Sequence, residues 1–273
     1  MTVIFMAGST GFLGRHVSEF LSECPDVEPI ALPRSRIDAE LLMREYDCTS
    51  ACLLNMIGLH PRRARSTEEV RVANLDVPYA LNQSFLELGG KEIVTTGSRF
   101  ELNKSETLQW RDYIDAKKQL REMTHDIADE YRASYFPKLI YDTFGFGDSR
   151  SNIFNAFLRS LRGGVLHIPP QDFNIDCTPV CWVASELCST LTSLGSGGSS
   201  HTCSIASRAP LSLAGLLQTF EQEFNMPIKT NKTIRLDDMA AEINYSPCAC
   251  HSLQSATVIE SLIGYYRRVL STA

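Results

Sequence analysis

Long apolar runs are what this sequence most plainly lacks. The longest mostly apolar stretch, residues 51–59, is interrupted by Asn55. It falls far short of the ~20 residues that a membrane span requires, so no membrane role is expected. A basic excess is also absent: 26 Lys and Arg stand against 32 Asp and Glu, a net charge of −6, which argues against nucleic acid as the main partner. No basic region followed by an apolar one marks a leader, and Glu19 and Glu23 come early, so the expected compartment is the cytoplasm. Cysteine is not scarce, but its nine copies are an odd number scattered over the chain, with Cys52 inside an expected core strand. That distribution suits reduced thiols better than a disulfide framework. No internal repeat is present, and the one low-complexity piece is the Gly/Ser loop 195–200.

What remains has the make-up of an ordinary globular protein. Of the 273 residues, 44% are hydrophobic and 21% charged, with 16 Gly and 12 Pro, which excludes collagenous, disordered and coiled-coil classes. The length allows one large domain, or one with a smaller companion.

The first half alternates strand and helix signals. Residues 2–7 form a short apolar run closed by glycine, and Phe12, Leu13, Val17, Phe20 and Leu21 then recur at helical spacing. Further strands are expected at 29–32, 51–56, 92–96 and 135–141. Helices are expected at 39–46, 68–88 with Pro78 inside it, and 112–131. Strands separated by helical crossovers imply a parallel sheet covered on both faces. The second half is less regular, with helices expected at 153–162, 180–194, 211–224 and 256–269 and a short strand at 165–168.

Three motifs carry chemistry. Gly8-Ser-Thr10-Gly11-Phe12-Leu13-Gly14 follows a strand and opens a helix. Glycines there let the backbone approach a pyrophosphate, whose charge then faces the free N–H groups of the helix N-terminus. At the end of the second strand stand Arg34, Ser35 and Arg36, with Arg15 one residue past the last glycine. A guanidinium and a hydroxyl are what a 2′-phosphate calls for, so NADP(H) is expected rather than NAD. Asp38 follows closely, as a candidate acceptor for the adenine amino group. The third motif is Tyr113-Ile-Asp-Ala-Lys117. An i,i+4 pair shares one helix face, so the ammonium favours the phenolate of a tyrosine whose ordinary pKa is ~10. Upstream, Ser98 follows the 92–96 strand and is the candidate that polarises a substrate carbonyl, with Thr96 as the alternative.

Other features are read more plainly. Cys248, Cys250 and His251, and the pair Cys177 and Cys181, lack a second pair at zinc-site spacing, so buried thiols and no metal are expected. The loop with His60, Arg62, Arg63 and Arg65 is left open between a solvated surface and an approach to phosphates.

Taken together, the Gly8/Gly11/Gly14 loop, Asn55-Met56-Ile57-Gly58, Asn74, Gly97-Ser98-Arg-Phe-Glu101 and Tyr113 with Lys117 resemble the extended short-chain dehydrogenase/reductases. Residues 141–150, Tyr-Asp-Thr-Phe-Gly-Phe-Gly-Asp-Ser-Arg, are similar to a segment of that family's nucleotide-sugar epimerase, dehydratase and ketoreductase branch. The stretch from Gln171 to Ala184 is similar to the one that closes the branch's substrate lobe. The resemblance implies an α/β fold, a Rossmann-type doubly wound parallel sheet with a smaller C-terminal substrate-binding lobe. On that basis residues 1–145 form the dinucleotide-binding domain, with about 171–200 returning to it, and 146–273 form most of the substrate lobe. It also implies Ser98, Tyr113 and Lys117 as catalytic residues and Asn55, Met56 and Ile57 at the cofactor. A nucleotide sugar is the implied substrate, held by Thr96, Asp142 and Arg150. The expected activity is NADPH-dependent reduction of a 4-keto nucleotide sugar. An NAD-dependent epimerase and a non-catalytic dinucleotide sensor are the alternatives, and a homodimer is kept open.

Overall fold

The computed structural model describes residues 1–102, 108–150, 152–166, 174–194, 202–225 and 253–271, with the side chains of residues 108 and 109 excepted. Contacts divide the chain into two compact units: Met1–Ile140 with Cys181–Ile205, and Tyr141–Val180 with the described residues that follow Ala206.

In the first unit β1 (Thr2–Ala7) leads through a glycine turn to α1 (Phe12–Ser22), then β2 (Val27–Ala31), α2 (Arg36–Met43) and β3 (Cys52–Asn55). The helix expected at 68–88 is three pieces: α3 (Thr67–Arg71), a π-helical turn (Val72–Asp76) and α4 (Val77–Glu87). Pro78 is the physical reason. It has no N–H to give to the preceding turn and its ring crowds the carbonyl four residues back, so the helix widens there. Next come β4 (Glu92–Ser98), α5 (Leu108–Glu130) and β5 (Ser134–Ile140).

The second unit contains β6 (Thr143–Phe144), α6 (Ile153–Leu161), β7 (Asn174–Ile175), β8 (Thr178–Pro179) and the start of α7 (Val180–Thr192). The first unit regains the chain for the rest of α7 and for β9 (Cys203–Ile205). β10 (Leu211–Ser212), α8 (Leu213–Phe224) and α9 (Ser255–Ser271) belong to the second unit again. The expected helix at 211–224 thus opens with a two-residue strand, and Ser212 caps the helix by accepting a hydrogen bond from the Gly215 N–H. Part of the strand expected at 165–168 lies outside the described residues, as do the Gly/Ser loop, Gln171, Cys248, Cys250 and His251.

The main sheet has six strands in the order β2-β1-β3-β4-β5-β9, every pairing parallel. Strand alternation sorts its two faces. Phe5 and Ala7 of β1 pack with Met43 of α2, Leu81 and Phe85 of α4 and Ile127 of α5. Ile4 and Met6 pack on the other face with Val17 and Leu21 of α1 and Val183 and Leu187 of α7. Burying one such side chain contributes about 1.5–3 kcal/mol, which is why these short apolar runs specify the layers. The chain leaves β1 toward β2 on one side and β3 on the other. That reversal of strand order opens a crevice at the carboxyl ends of β1 and β3.

The second unit has its own core, with Phe144, Phe154, Phe157, Phe220, Leu262 and Tyr266 in one cluster. Two polar ties fix it: the Tyr266 hydroxyl donates to the Phe154 carbonyl at 2.6 Å, and buried Asp176 accepts from Thr178 Oγ1, Ser207 N and Arg208 N.

Six cysteines (Cys24, Cys48, Cys52, Cys177, Cys181 and Cys188) are free, whereas Cys203 on β9 is disulfide-bonded, which corrects the expectation of thiols throughout. Among the described residues no group of His, Cys, Asp and Glu is placed to hold a metal, and no helix is long and apolar enough to cross a membrane.

Candidate active site

The glycine turn after β1 is folded tightly enough to require its residue type. Gly8 has φ +83°, and a Cβ there would meet the Met56 carbonyl group at 2.9 Å, while a Cβ on Gly14 would run into the Gly8 carbonyl. The turn therefore packs on the exit of β3, where Met56 N donates to Ala7 O at 2.9 Å. Gly11 is the N-cap of α1, and no side chain caps that helix. The first turn of α1 thus meets no capping side chain, and this cradle of glycine backbone fits a dinucleotide diphosphate. Thr10 is exposed beside it.

The segment after β2 departs from its expected role. Ser35 is the N-cap of α2, its hydroxyl accepting from the Asp38 N–H at 3.4 Å. Arg36 Nη2 donates to Ser84 Oγ on α4 at 3.3 Å, and Ser84 in turn donates to Glu40. Two of the three groups assigned to a 2′-phosphate are thus engaged within the protein, Ser35 at the start of α2 and Arg36 across to α4. Arg34 is exposed and makes no hydrogen bond or ion pair among the described residues. Arg15 and Asp38 are exposed as well.

Asn55, expected at the cofactor, lies under the loop that follows β3. Its side chain is 2% exposed, donates to Pro78 O at 3.0 Å and to Asn82 Oδ1 at 2.8 Å, and accepts from the Ile57 N–H at 3.2 Å. Asn82 passes the chain on to Thr124 Oγ1 at 3.0 Å. Asn55 therefore shapes the loop through Met56 and Ile57 from beneath. Asn74, in the π-helical turn, holds the far side of that loop: it accepts from Leu59 N at 3.1 Å and donates to Leu59 O at 3.0 Å.

Between these anchors lies Lys117. It is 5% exposed, and its Nζ donates to Ile57 O at 3.1 Å and to Thr96 O at 3.3 Å, tying α5 to the ends of β3 and β4. A Cβ on Gly58 would lie 3.0 Å from Nζ and 3.1 Å from Asn74 Oδ1, so any larger residue there would make Lys117 or Asn74 give by a few tenths of an ångström. Burial pushes the Lys117 ammonium down to about 8, and attraction to Glu101 opposes that shift. An ammonium has three donors, and two are occupied.

Tyr113 stands one helical turn earlier, on the same face of α5. Its ring meets Trp110 edge-on at 6.0 Å, and Trp110 also contacts His60 at 5.3 Å and Phe100 at 4.6 Å. Loops from the ends of β3 and β4 thereby brace the tyrosine. Ser98, at the end of β4, is 7% exposed, and its Oγ accepts from the Phe100 N–H at 3.3 Å. Its own proton is left to donate elsewhere. Thr96 is buried, with its carbonyl on Lys117.

Two expected substrate contacts belong to the second unit. Arg150 grips Asp148 through Nε and Nη2, both at 2.8 Å, and Thr143 through Nη2. Its guanidinium thus closes its own turn before α6. Asp142 is half-buried, and its main-chain carbonyl accepts from Thr178 N at 2.9 Å. Reading the sequence gave Glu101 and Trp110 no role. The signal available was a carboxylate three residues past the strand-end serine and a tryptophan three before the tyrosine.

No protein-family model and no curated protein matches the chain. Solved structures do. UDP-glucuronic acid 4-epimerase from Bacillus cereus in complex with NAD superposes with a TM-score of 0.76 at 12% identity, covering 99% of each chain. UDP-N-acetylglucosamine 4-epimerase from the same organism gives 0.73 at 15%, covering 97% of this chain and 99% of that one. The chain shares with these structures the Rossmann-type α/β fold. RMD from Pseudomonas aeruginosa, complexed with NADPH, superposes with a TM-score of 0.71 at 14% identity, covering 99% of this chain and 98% of that one.

Proposed function

We propose that the chain is a nicotinamide-dinucleotide oxidoreductase of a nucleotide sugar and, more narrowly, an NADP(H)-dependent reductase of a 4-keto nucleotide sugar. The observation that carries this reading is Lys117: a buried ammonium at the strand ends, held by two carbonyls, with a third donor left for a hydroxyl. Burial of an ammonium is costly, and two neutral acceptors do not offset it in full, so a ligand-binding role accounts for its retention. Support comes also from the glycine cradle, and from structural neighbours solved with NAD, with NADPH and as nucleotide-sugar epimerases.

In this reading Tyr113 gives its phenolic proton to the substrate oxygen, and Lys117 favours the phenolate left behind. Ser98 Oγ, already accepting from Phe100 N, donates its proton to the substrate carbonyl and orients it. The first-turn amides of α1 hold the diphosphate, and Arg34 meets the 2′-phosphate. A bound nicotinamide supplies the hydride. We place the protein in the cytoplasm because six of the seven described cysteines keep their thiols, Cys203 being the one in a disulfide, and sedimentation tests for a homodimer.

A second reading, an epimerase using NAD, is favoured by the engagement of Ser35 and Arg36 inside the protein. NADPH absorbance followed with 4-keto nucleotide sugars, and inversion at C4 of 4-hydroxy nucleotide sugars followed with NAD and no added reductant, separate the readings. One NADPH lost per carbinol formed from the ketone supports the reductase, and C4 inversion of the hydroxy sugar without net change in the cofactor supports the epimerase. No turnover in either assay overturns both and leaves a dinucleotide sensor.

A further inference from the structure

A carboxylate buried behind the candidate active site has no part in the scheme above. The side chain of Glu101 is 1% exposed. Its Oε1 accepts the Ser98 N–H at 2.7 Å, and a Cβ on Gly97 would run into it. Its Oε2 is buried, accepts no hydrogen bond and lies 3.6 Å from Arg121 Nη1, beyond hydrogen-bond distance. Glu101 and Lys117 line one small cavity together with Thr96, Arg121 and Tyr135. Holding one amide N–H needs only a neutral acceptor such as glutamine. A buried carboxylate calls for charged neighbours: Arg121 forms an ion pair with Oε2, and Lys117, whose ammonium donates to two neutral carbonyls, lines the same cavity.

We propose that Glu101 is a positioning residue of the active site, its carboxylate fixing the Ser98 main chain and acting as the buried counter-charge of the Lys117 ammonium. The inference rests on the reading that Ser98, Tyr113 and Lys117 carry the chemistry. The electrostatics are consistent with the geometry. Burial drives Lys117 toward the neutral amine and Glu101 opposes it. Burial drives Glu101 toward the neutral acid, opposed by the Ser98 N–H, Arg121, Lys117 and Lys118. Tyr135, facing them from β5, stays a neutral phenol because burial raises its pKa. Tyr113 is the remaining titratable group, one turn from Lys117 on α5.

The test uses the full chain in wild-type form and as Glu101→Gln, which keeps an acceptor for Ser98 N–H and removes the charge. Lysine-selective ¹³C NMR follows the Lys117 titration directly and does not depend on turnover. Lys117 is expected to lose its proton at a lower pH in Glu101→Gln than in the wild type. In the turnover assay the alkaline limb of kcat should move the same way, with kcat at neutral pH down about tenfold, KM little changed and thermal unfolding still cooperative. Glu101→Asp retains the charge, so its Lys117 titration should stay near wild type while kcat falls through the loosened Ser98. That variant also decides the matter if Glu101→Gln does not fold. An unchanged Lys117 titration in Glu101→Gln, or one as low in Glu101→Asp as in Glu101→Gln, overturns the counter-charge. Wild-type kcat in Glu101→Asp overturns the hold on Ser98. A shifted titration in a chain that turns over no keto sugar supports the Glu101–Lys117 pairing and overturns the proposed activity instead.

Discussion

The two ends of the first unit's candidate site are built on opposite plans. Where β3, β4 and α5 meet, Lys117 is buried and tied to Ile57 O and Thr96 O, Glu101 sits behind Ser98, and Trp110 braces Tyr113. Where β2 ends, Arg34 is exposed and Arg36 leans on Ser84. One end is fixed before any ligand arrives, at a cost in desolvation. The other presents Arg34, which makes no hydrogen bond or ion pair among the described residues. Such a difference suits a protein whose chemistry tolerates little displacement while its grip on the far end of a cofactor is a matter of affinity.

The buried end should give the largest effect. Tyr113→Phe removes the proton donor and leaves the aromatic packing on Trp110, so kcat should fall by about 10² to 10⁴ with NADPH affinity intact. A steady-state comparison on a 4-keto nucleotide sugar checks it. Turnover at the wild-type rate would remove the tyrosine from the mechanism.

Lys117 gives the next effect, and here stability runs against function. The folded chain releases the Lys117 proton near pH 8 and the unfolded chain near 10.5. Between those values the unfolded state binds more protons, so stability rises with pH. The gap corresponds to about 3 kcal/mol regained across that window. Lys117→Met should lose catalysis and also lose this rise. Urea unfolding of both proteins at pH 7.5 and 10 reads the difference, which cancels the other titrating groups. Parallel curves would mean that Lys117 is not held as an expensive buried ammonium.

The buried end was also the more legible in the sequence, for a physical reason. Helical period alone puts Tyr113 and Lys117 on one face, and apolar strands order the sheet, so the position of Lys117 at the strand ends follows from the fold. Side-chain direction does not follow in that way. Asn55 turned under its loop, Arg150 turned onto Asp148 two residues earlier, and Arg36 turned to α4, because each found a buried or half-buried partner that no spacing rule encodes. Pro78 was visible, but its result, a π-helical turn that places Asn74 against Leu59, depends on packing between α4 and the β3 loop. The two-residue strands of the second unit have no period to read at all.

The exposed end supplies the smaller effects. Arg34→Ala should weaken NADPH by about tenfold and leave NADH nearly unchanged, since a charge-assisted hydrogen bond contributes about 1.5–3 kcal/mol. Fluorescence titration of both cofactors measures it. Equal affinity of the wild type for the two would favour the NAD-dependent reading.

Arg36→Ala is expected to do least, and it decides whether the contrast between the two ends holds. Arg36 begins α2 and its guanidinium is engaged with Ser84; the Glu40 carboxyl, held below its ordinary value chiefly by Arg44, is lowered further by Arg36. Turning it toward a phosphate would break those contacts, so much of any gain at the ligand would be offset inside the protein. The substitution should therefore change NADPH affinity by less than about threefold, the effect of a surface charge screened by solvent. A loss as large as that of Arg34→Ala would mean that Arg36 swings out when the cofactor binds. The β2 end would then be a clamp formed by the ligand, and the engagement of Arg36 would no longer favour an NAD enzyme.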